Sequence, residues 1–137
     1  GVEKIMTGMF EVSLVLDFHR LPELFCGFVR RPGQGLTRYP VACNPQAWAA
    51  GSAFMVLQAC LGLSIIASEQ KVVFNHPILP EFIDKMQIKN LKVGTASVDL
   101  LLRRHDLDVG ITVIRRAGKV EVVSVKSRRL LKRSAAV

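Results

Sequence analysis

A chain of 137 residues, half of them apolar, has the length and composition to bury one ordinary core. Its longest apolar stretch, Ala47 to Leu63, is interrupted by Gly51, Ser52, Gln58 and Gly62, which excludes a transmembrane helix. The formal net charge is +8, but Lys126, Arg128, Arg129, Lys132 and Arg133 supply five of those charges with no acid after Glu121. Without aromatic interleaving or a recognition motif this cluster reads as a solvated tail, so neither a membrane nor a nucleic-acid partner is expected.

In chain order, residues 3 to 17 read as a helix, because Ile5, Met6, Met9, Phe10 and Leu14 recur at spacings of three and four. It delivers the chain to Arg20-Leu-Pro-Glu-Leu-Phe-Cys-Gly27. There Pro22 biases Leu21 away from helical backbone and Gly27 permits a bend, placing Glu23 in a constrained loop. Pro32, Gly33, Gly35 and Pro40 keep residues 30 to 40 irregular. Asn44-Pro45 then reads as a helix start, with Asn44 as cap and Pro45 as the first helical residue. From Pro45 to about Leu61 almost every residue is apolar or small, which predicts a helix lying in an interior, stopped by Gly62. Gln46 and Trp48 would then stand at its positive end, where an anion or a sugar hydroxyl is met.

Beyond Gly62 the pattern changes. Ile65-Ile-Ala67 and Val72 to Pro80 read as extended pieces, and Phe82 to Met86 as a turn of helix. From Ile88 apolar residues alternate with polar ones through Leu102. Val109–Arg115 and Lys119–Val125 flank Ala117-Gly118, which reads as a hairpin turn. These segments predict a small antiparallel sheet packed on the helical part.

Two blocks, Arg20-Leu-Pro-Glu-Leu-Phe-Cys-Gly27 and Tyr39-Pro-Val-Ala-Cys-Asn-Pro-Gln-Ala-Trp-Ala-Ala-Gly51, resemble the carboxy-terminal part of bacterial amylo-alpha-1,6-glucosidase (glycogen debranching) type proteins. Leu91-Lys-Val-Gly-Thr-Ala-Ser-Val-Asp-Leu100 continues the resemblance, which covers roughly residues 8 to 123. Glu23-Leu-Phe25, a Gly-rich loop and a helix with Trp near its start are also similar in order to the general-base region of glucoamylase and trehalase-like inverting hydrolases.

The resemblance implies a mixed fold, a fragment of an (alpha/alpha) helical toroid with two main helices, followed by a small antiparallel sheet. Residues 1–64 would be the closing helices and catalytic loop, 65–125 the extended and β region, and 126–137 a disordered basic tail. It implies Glu23 as catalytic base, with Arg20, Gln46 and Trp48 binding an alpha-glucan or maltooligosaccharide. An inverting glycosidase also needs a general acid, its carboxyl roughly 6.5 to 9.5 Å from the base. No other Asp or Glu here sits in a motif similar to the family's acid region. The acid is therefore expected in a missing amino-terminal part of the same enzyme, and the chain alone is expected to be inactive. The opening Gly1 to Gly8, with neither initiator Met nor signal segment, is read the same way.

Each of these residues also has a plainer reading. Glu23 can be a surface or cap-pairing carboxylate, Trp48 ordinary core, Gln46 a capping side chain, Arg20 an ion-pair partner. A non-catalytic module with a basic tail is accordingly the alternative function. Cys26, Cys43 and Cys60 are odd in number and lack metal-binding spacing, which suits reduced buried thiols in a cytoplasmic protein. Cys26 with His19 lacks the third, orienting residue of a thiol nucleophile. Neither a metal nor a cofactor is expected.

Overall fold

A computed structural model of the protein describes residues 1–29, 31, 36–106 and 108–126. The expectations for Pro32, Gly33, Gly35 and the tail beyond Lys126 lie outside these residues. The chain divides into two compact units, residues 1–61 with 78–84 and residues 62–77 with 85–137.

The first unit holds two helices, α1 (Val2–Ser13) and α2 (Ala47–Leu61). Helix α1 ends four residues earlier than its periodicity predicts. The turn that follows leads to a 3-10 turn at Asp17–His19, in which Phe18 and His19 both take left-handed backbone with φ of 54° and 57°. None of the residues of α1 is fully buried: Ile5 and Phe10 of its apolar face are exposed. The unit is held instead by a small core of Leu16, Leu21 and Ala49, against which Met9, Val12 and Leu36 pack. Phe82, in the segment that returns to this unit, stacks on Phe10 with ring centroids 4.2 Å apart. That segment forms a turn at Glu81–Phe82, and its last residues before Lys85 are not helical, against expectation.

Among the described residues the second unit has six strands in two sheets. Strands β1 (Leu63–Ile66), β2 (Lys71–Asn75) and β6 (Glu121–Val125) form one sheet in the order β1-β2-β6. Strands β3 (Lys85–Val93), β4 (Ala96–Arg104) and β5 (Val109–Ala117) form an antiparallel meander. Alternation explains burial along β4, where Ala96, Val98, Leu100 and Leu102 are buried while Asp99 and Leu101 face the other way. Val72 and Phe74 of β2 are likewise fully buried.

Two expectations are corrected here. Among the described residues there are two helices and two three-stranded sheets, with no helical toroid. Nor is the β part a single antiparallel sheet: Ala117-Gly118 does not close a hairpin, because β6 pairs parallel to β2, from Lys71↔Glu121 to Asn75↔Val125. Gly118, at φ 83°, packs so closely on Ala96 that an added Cβ would lie 3.1 Å from its side chain, and Glu121 N–H then donates to Gln70 carbonyl at 2.9 Å. The tight turn thus redirects the chain into the other sheet. Local alternation cannot reveal this, since parallel and antiparallel partners demand the same side-chain period.

Gly62 separates α2 from β1 in left-handed backbone, φ 53°, and Asn75 N–H donates to its carbonyl at 3.0 Å. A Cβ at Gly62 would run into the carbonyl oxygen of Asn75. We expect Gly62→Ala to destabilise the protein by at least about 2 kcal/mol, the left-handed penalty plus a backbone clash, read as a lowered urea midpoint.

In the meander, both register shifts meet at one carboxylate. The irregularity in β3 falls between Ile88 and Leu91, and that between β4 and β5 at Asp99/Leu100. Asp99 Oδ1 accepts from Asn90 N–H at 2.7 Å, and its Oδ2 accepts from Arg115 Nε at 2.9 Å. The Arg115 hydrogen bond and then that from Asn90 hold the Asp99 carboxyl below its ordinary value. A carboxyl depressed in the folded state binds its proton more readily when unfolded, so its stabilisation is present above the unfolded value and is lost as pH falls through the folded one. The urea-midpoint advantage of wild type over Asp99→Asn should therefore be constant above about pH 4 and shrink at lower pH.

Candidate functional site

The two blocks quoted above are hydrogen-bonded to each other. Glu23 N–H donates to Cys43 carbonyl at 2.9 Å, Cys43 N–H donates to Glu23 Oε2 at 3.2 Å, and Gln46 N–H donates to Leu21 carbonyl at 3.2 Å. Phe25 and Arg38 extend the pairing as an isolated antiparallel bridge, and the Cys26 thiol donates to Arg38 carbonyl at 3.6 Å. Segments about twenty residues apart are thus joined in β-like fashion.

This pairing decides where α2 begins. Gln46 N–H is committed to Leu21, so the helix starts at Ala47, and Asn44 and Pro45 stay in irregular backbone rather than forming the expected cap and first helical residue. Gln46 takes the capping place: its Oε1 accepts from Ala47 N–H at 3.0 Å, satisfying one of the free donors at the helix end. The plainer reading of Gln46 as a capping side chain therefore describes what this oxygen does.

Two hollows flank the pairing. The larger, about 530 Å³, is lined by His19, Arg20, Leu21, Pro45, Gln46, Ala47, Ala50 and Ala53. That volume lies within the usual range for small-ligand sites. The smaller, about 230 Å³, is lined by Pro22, Leu24, Arg38, Tyr39, Asn44 and their neighbours. Arg20 and Gln46 therefore meet on one surface. Glu23 lines neither hollow: Pro22 and Leu24 on either side of it line the smaller, and the nearest residue lining the larger is Leu21. Trp48 is 59% exposed on the first turn of α2 and lines neither.

Arg20 is positioned by the left-handed pair before it. Two consecutive non-glycine residues at positive φ cost roughly 1 to 2 kcal/mol each, and here they set the Arg20 guanidinium 5.4 Å from the centre of the Phe18 ring. His19 Nδ1 donates to Ser13 carbonyl at 2.9 Å, tying the turn back to α1. His19 Nδ1 and the Cys26 thiol are thus bonded to separate carbonyls, those of Ser13 and Arg38.

Of the three cysteines, all free, only Cys60 is buried; Cys26 is half-buried and Cys43 exposed, which corrects the expectation of three buried thiols. Burial, and to a lesser extent the Glu3 carboxylate, push the Cys60 thiol up, so it stays protonated. Among the described residues no group of three or more His, Cys, Asp or Glu could hold a metal ion. No described helix is long and apolar enough to cross a membrane.

The lining that sequence reasoning missed is His19, Ala50 and Ala53. Ala50 and Ala53 follow Gln46 by four and seven residues, one face of a helix, and small side chains there open the hollow. That signal becomes legible only once the helix start is known.

Compared with known proteins, the chain matches no family model, no curated protein and no solved structure.

The Glu23 clasp has a measurable consequence. Glu23→Ala removes a charge-assisted acceptor from Cys43 N–H at a partly exposed position, and we expect a loss of about 1 kcal/mol in urea unfolding. Glu23→Gln, which keeps an acceptor oxygen, should recover most of it.

Proposed function

We propose that this chain contributes the general base and part of the sugar-binding wall of an inverting alpha-glucan glycoside hydrolase of the amylo-alpha-1,6-glucosidase type. The observation that carries this reading is the direct hydrogen bonding of the Glu23 block to the Gln46 block beside a ligand-sized hollow. These are the two segments on which the family resemblance rests.

In the proposed reaction Glu23 takes a proton from water as the water oxygen bonds to the anomeric carbon from the face opposite the leaving group. The glycosidic carbon–oxygen bond breaks, and a second carboxylic acid protonates the departing oxygen. Cys43 N–H holds one oxygen of the Glu23 carboxylate, Oε2, and leaves Oε1 to receive the proton. Arg20 donates to sugar hydroxyls from the wall of the hollow. Gln46 offers its amide nitrogen, since its oxygen is held by Ala47 N–H. Trp48, on the exposed side of the first turn of α2, supplies a ring face on which a further sugar unit stacks. No other Asp or Glu of the chain sits in a motif similar to the family's acid region, so this reading assigns the acid to polypeptide outside this chain. Three free thiols suit a reducing compartment, and the reading places the protein in the cytoplasm.

Binding without turnover is the second reading. One observation favours it: Glu23 lines neither hollow and holds Cys43 N–H.

The two readings separate in the longest polypeptide that contains this chain, assayed for glucose release from a branched maltooligosaccharide. For the glycosidase, Glu23→Gln should lower turnover by about a thousandfold, the scale of a general base, while oligosaccharide affinity stays within a few-fold. Proton NMR of the wild-type product should show inverted anomeric configuration, and the 137-residue chain alone should release no glucose. Turnover unchanged by Glu23→Gln would remove this residue from the mechanism.

A further inference from the structure

The outer side of the meander gathers charge from residues far apart in the chain. Side chains alternate along a strand, and β4 buries Ala96, Val98, Leu100 and Leu102, so Asp99, Leu101 and Arg103 stand on the opposite side. Residues paired across strands share a side. This puts Lys85 beside Arg103, Gln87 and Thr112 beside Leu101, Arg115 beside Asp99, and Lys92 beside Ser97. At the irregularity of β3, Lys89 and Asn90 stand opposite Asp99. After the Arg115 and Asn90 hydrogen bonds, the Lys89 ammonium adds to the lowering of the Asp99 carboxyl, which sets Lys89 on this side too. Lys85, Lys89, Lys92, Arg103 and Arg115 are all exposed.

We infer that this side of the meander is a docking surface for double-helical nucleic acid, held through its phosphates without regard to base sequence.

Uncompensated charge is the first support. Asp99 is the one acidic residue of the three strands, and it is paired with Arg115 at 2.9 Å. Among the described residues no ion pair joins Lys85, Lys92 or Arg103 to a carboxylate. Of the net +8, five charges belong to the tail from Lys126 onward and four to this face, which leaves −1 for all the rest. The surplus outside the tail is therefore concentrated here.

The second support is register. Lys85 lies directly opposite Arg103. Like charges so placed destabilise a sheet, and a bound polyanion removes the repulsion.

The character of the face selects the polyanion. From Lys85 to Lys92 it runs about 20 Å along β3, enough to meet several phosphates of a duplex, which carries one charge per roughly 1.7 Å of axis. Lysine, arginine, glutamine and threonine are side chains that bond phosphate oxygens. The three strands contain no aromatic residue. The face thus offers neither the stacking platform that grips single strands nor the aromatic anchor typical of protein interfaces. An acidic peptide lying across it would miss the free strand edges, where main-chain bonds supply affinity.

This inference does not depend on the proposed glycosidase activity, nor on the tail. Fluorescence anisotropy of a labelled DNA duplex of about 20 base pairs, titrated with the 137-residue chain between about 50 and 200 mM salt, tests it. Arg128, Arg129, Lys132 and Arg133 are first replaced by Gln, which removes most of the tail's charge. In that background log K should fall against log salt concentration with a slope of about −4, four net charges at roughly 0.9 each. Lys92→Gln should reduce the slope by about one. Lys85→Gln, Lys92→Gln and Arg103→Gln together should bring it to about −1 and weaken binding at least tenfold at the lowest salt. A duplex of shuffled sequence should bind within a few-fold, and a single strand less tightly. All three side chains are exposed and two of them repel each other, so the urea midpoint of the triple variant should equal or exceed that of its background. Binding that vanishes with the tail substitutions alone overturns the inference, as does binding indifferent to the face variants. Tighter capture of single strands, polyglutamate or phosphatidylserine vesicles than of duplex at the same salt overturns the choice of occupant.

Discussion

Backbone pairing between residues 21–23 and 43–46 is the constraint on which the rest of the helical unit depends. Closing the roughly twenty residues between these segments costs chain entropy. Reciprocal bonds between Glu23 and Cys43, together with Gln46 to Leu21, offset that cost and set three things at once. They fix the residue at which α2 begins, bring Leu21 against Ala49 in the small core, and place Arg20 and Gln46 on the same hollow. The Glu23 carboxylate takes part in the pairing through its side chain, so the most chemically capable group of the loop is also a structural one.

A second constraint comes from the composition of α2. A helix apolar on every side must be covered on every side to be stable in water. Within the described residues only one half is covered. The same imbalance shows in α1, no residue of which is buried, and in the exposure of Phe18 and Phe28. The strand-bearing unit differs: its alternating residues bury one side of each central strand, and its acidic side chains Asp99 and Asp108 find partners in Arg115 and Lys126. The apolar surplus of this chain is therefore concentrated in the helical unit.

Much of the local structure was readable from residues alone. The apolar run ending at Gly62 marked α2 and its stop, and the alternation from Ile88 to Leu102 marked the meander, because period and glycine conformation act within a few residues. The start of α2 was not readable. Asn44-Pro45 carries every local mark of a helix beginning, and a long-range bond from Gln46 to Leu21 overrides it. The hairpin at Ala117-Gly118 failed for the same kind of reason, since the partner of β6 lies some fifty residues earlier in the chain.

For the candidate site the division is similar. Pro22 and Gly27 around Glu23, and the Gln46 to Trp48 run at the helix entrance, marked the candidate residues in the sequence. Their separation into a hollow that holds Arg20 and Gln46, a carboxylate bonded to Cys43, and an indole left in solvent was decided by tertiary structure. By itself the sequence determined which residues can take part and the type of element each sits on, because propensity, periodicity and capping are short-range effects. Only the tertiary structure decided which of them face one another, because hydrogen bonds and packing between distant segments leave no periodic trace in the chain that makes them.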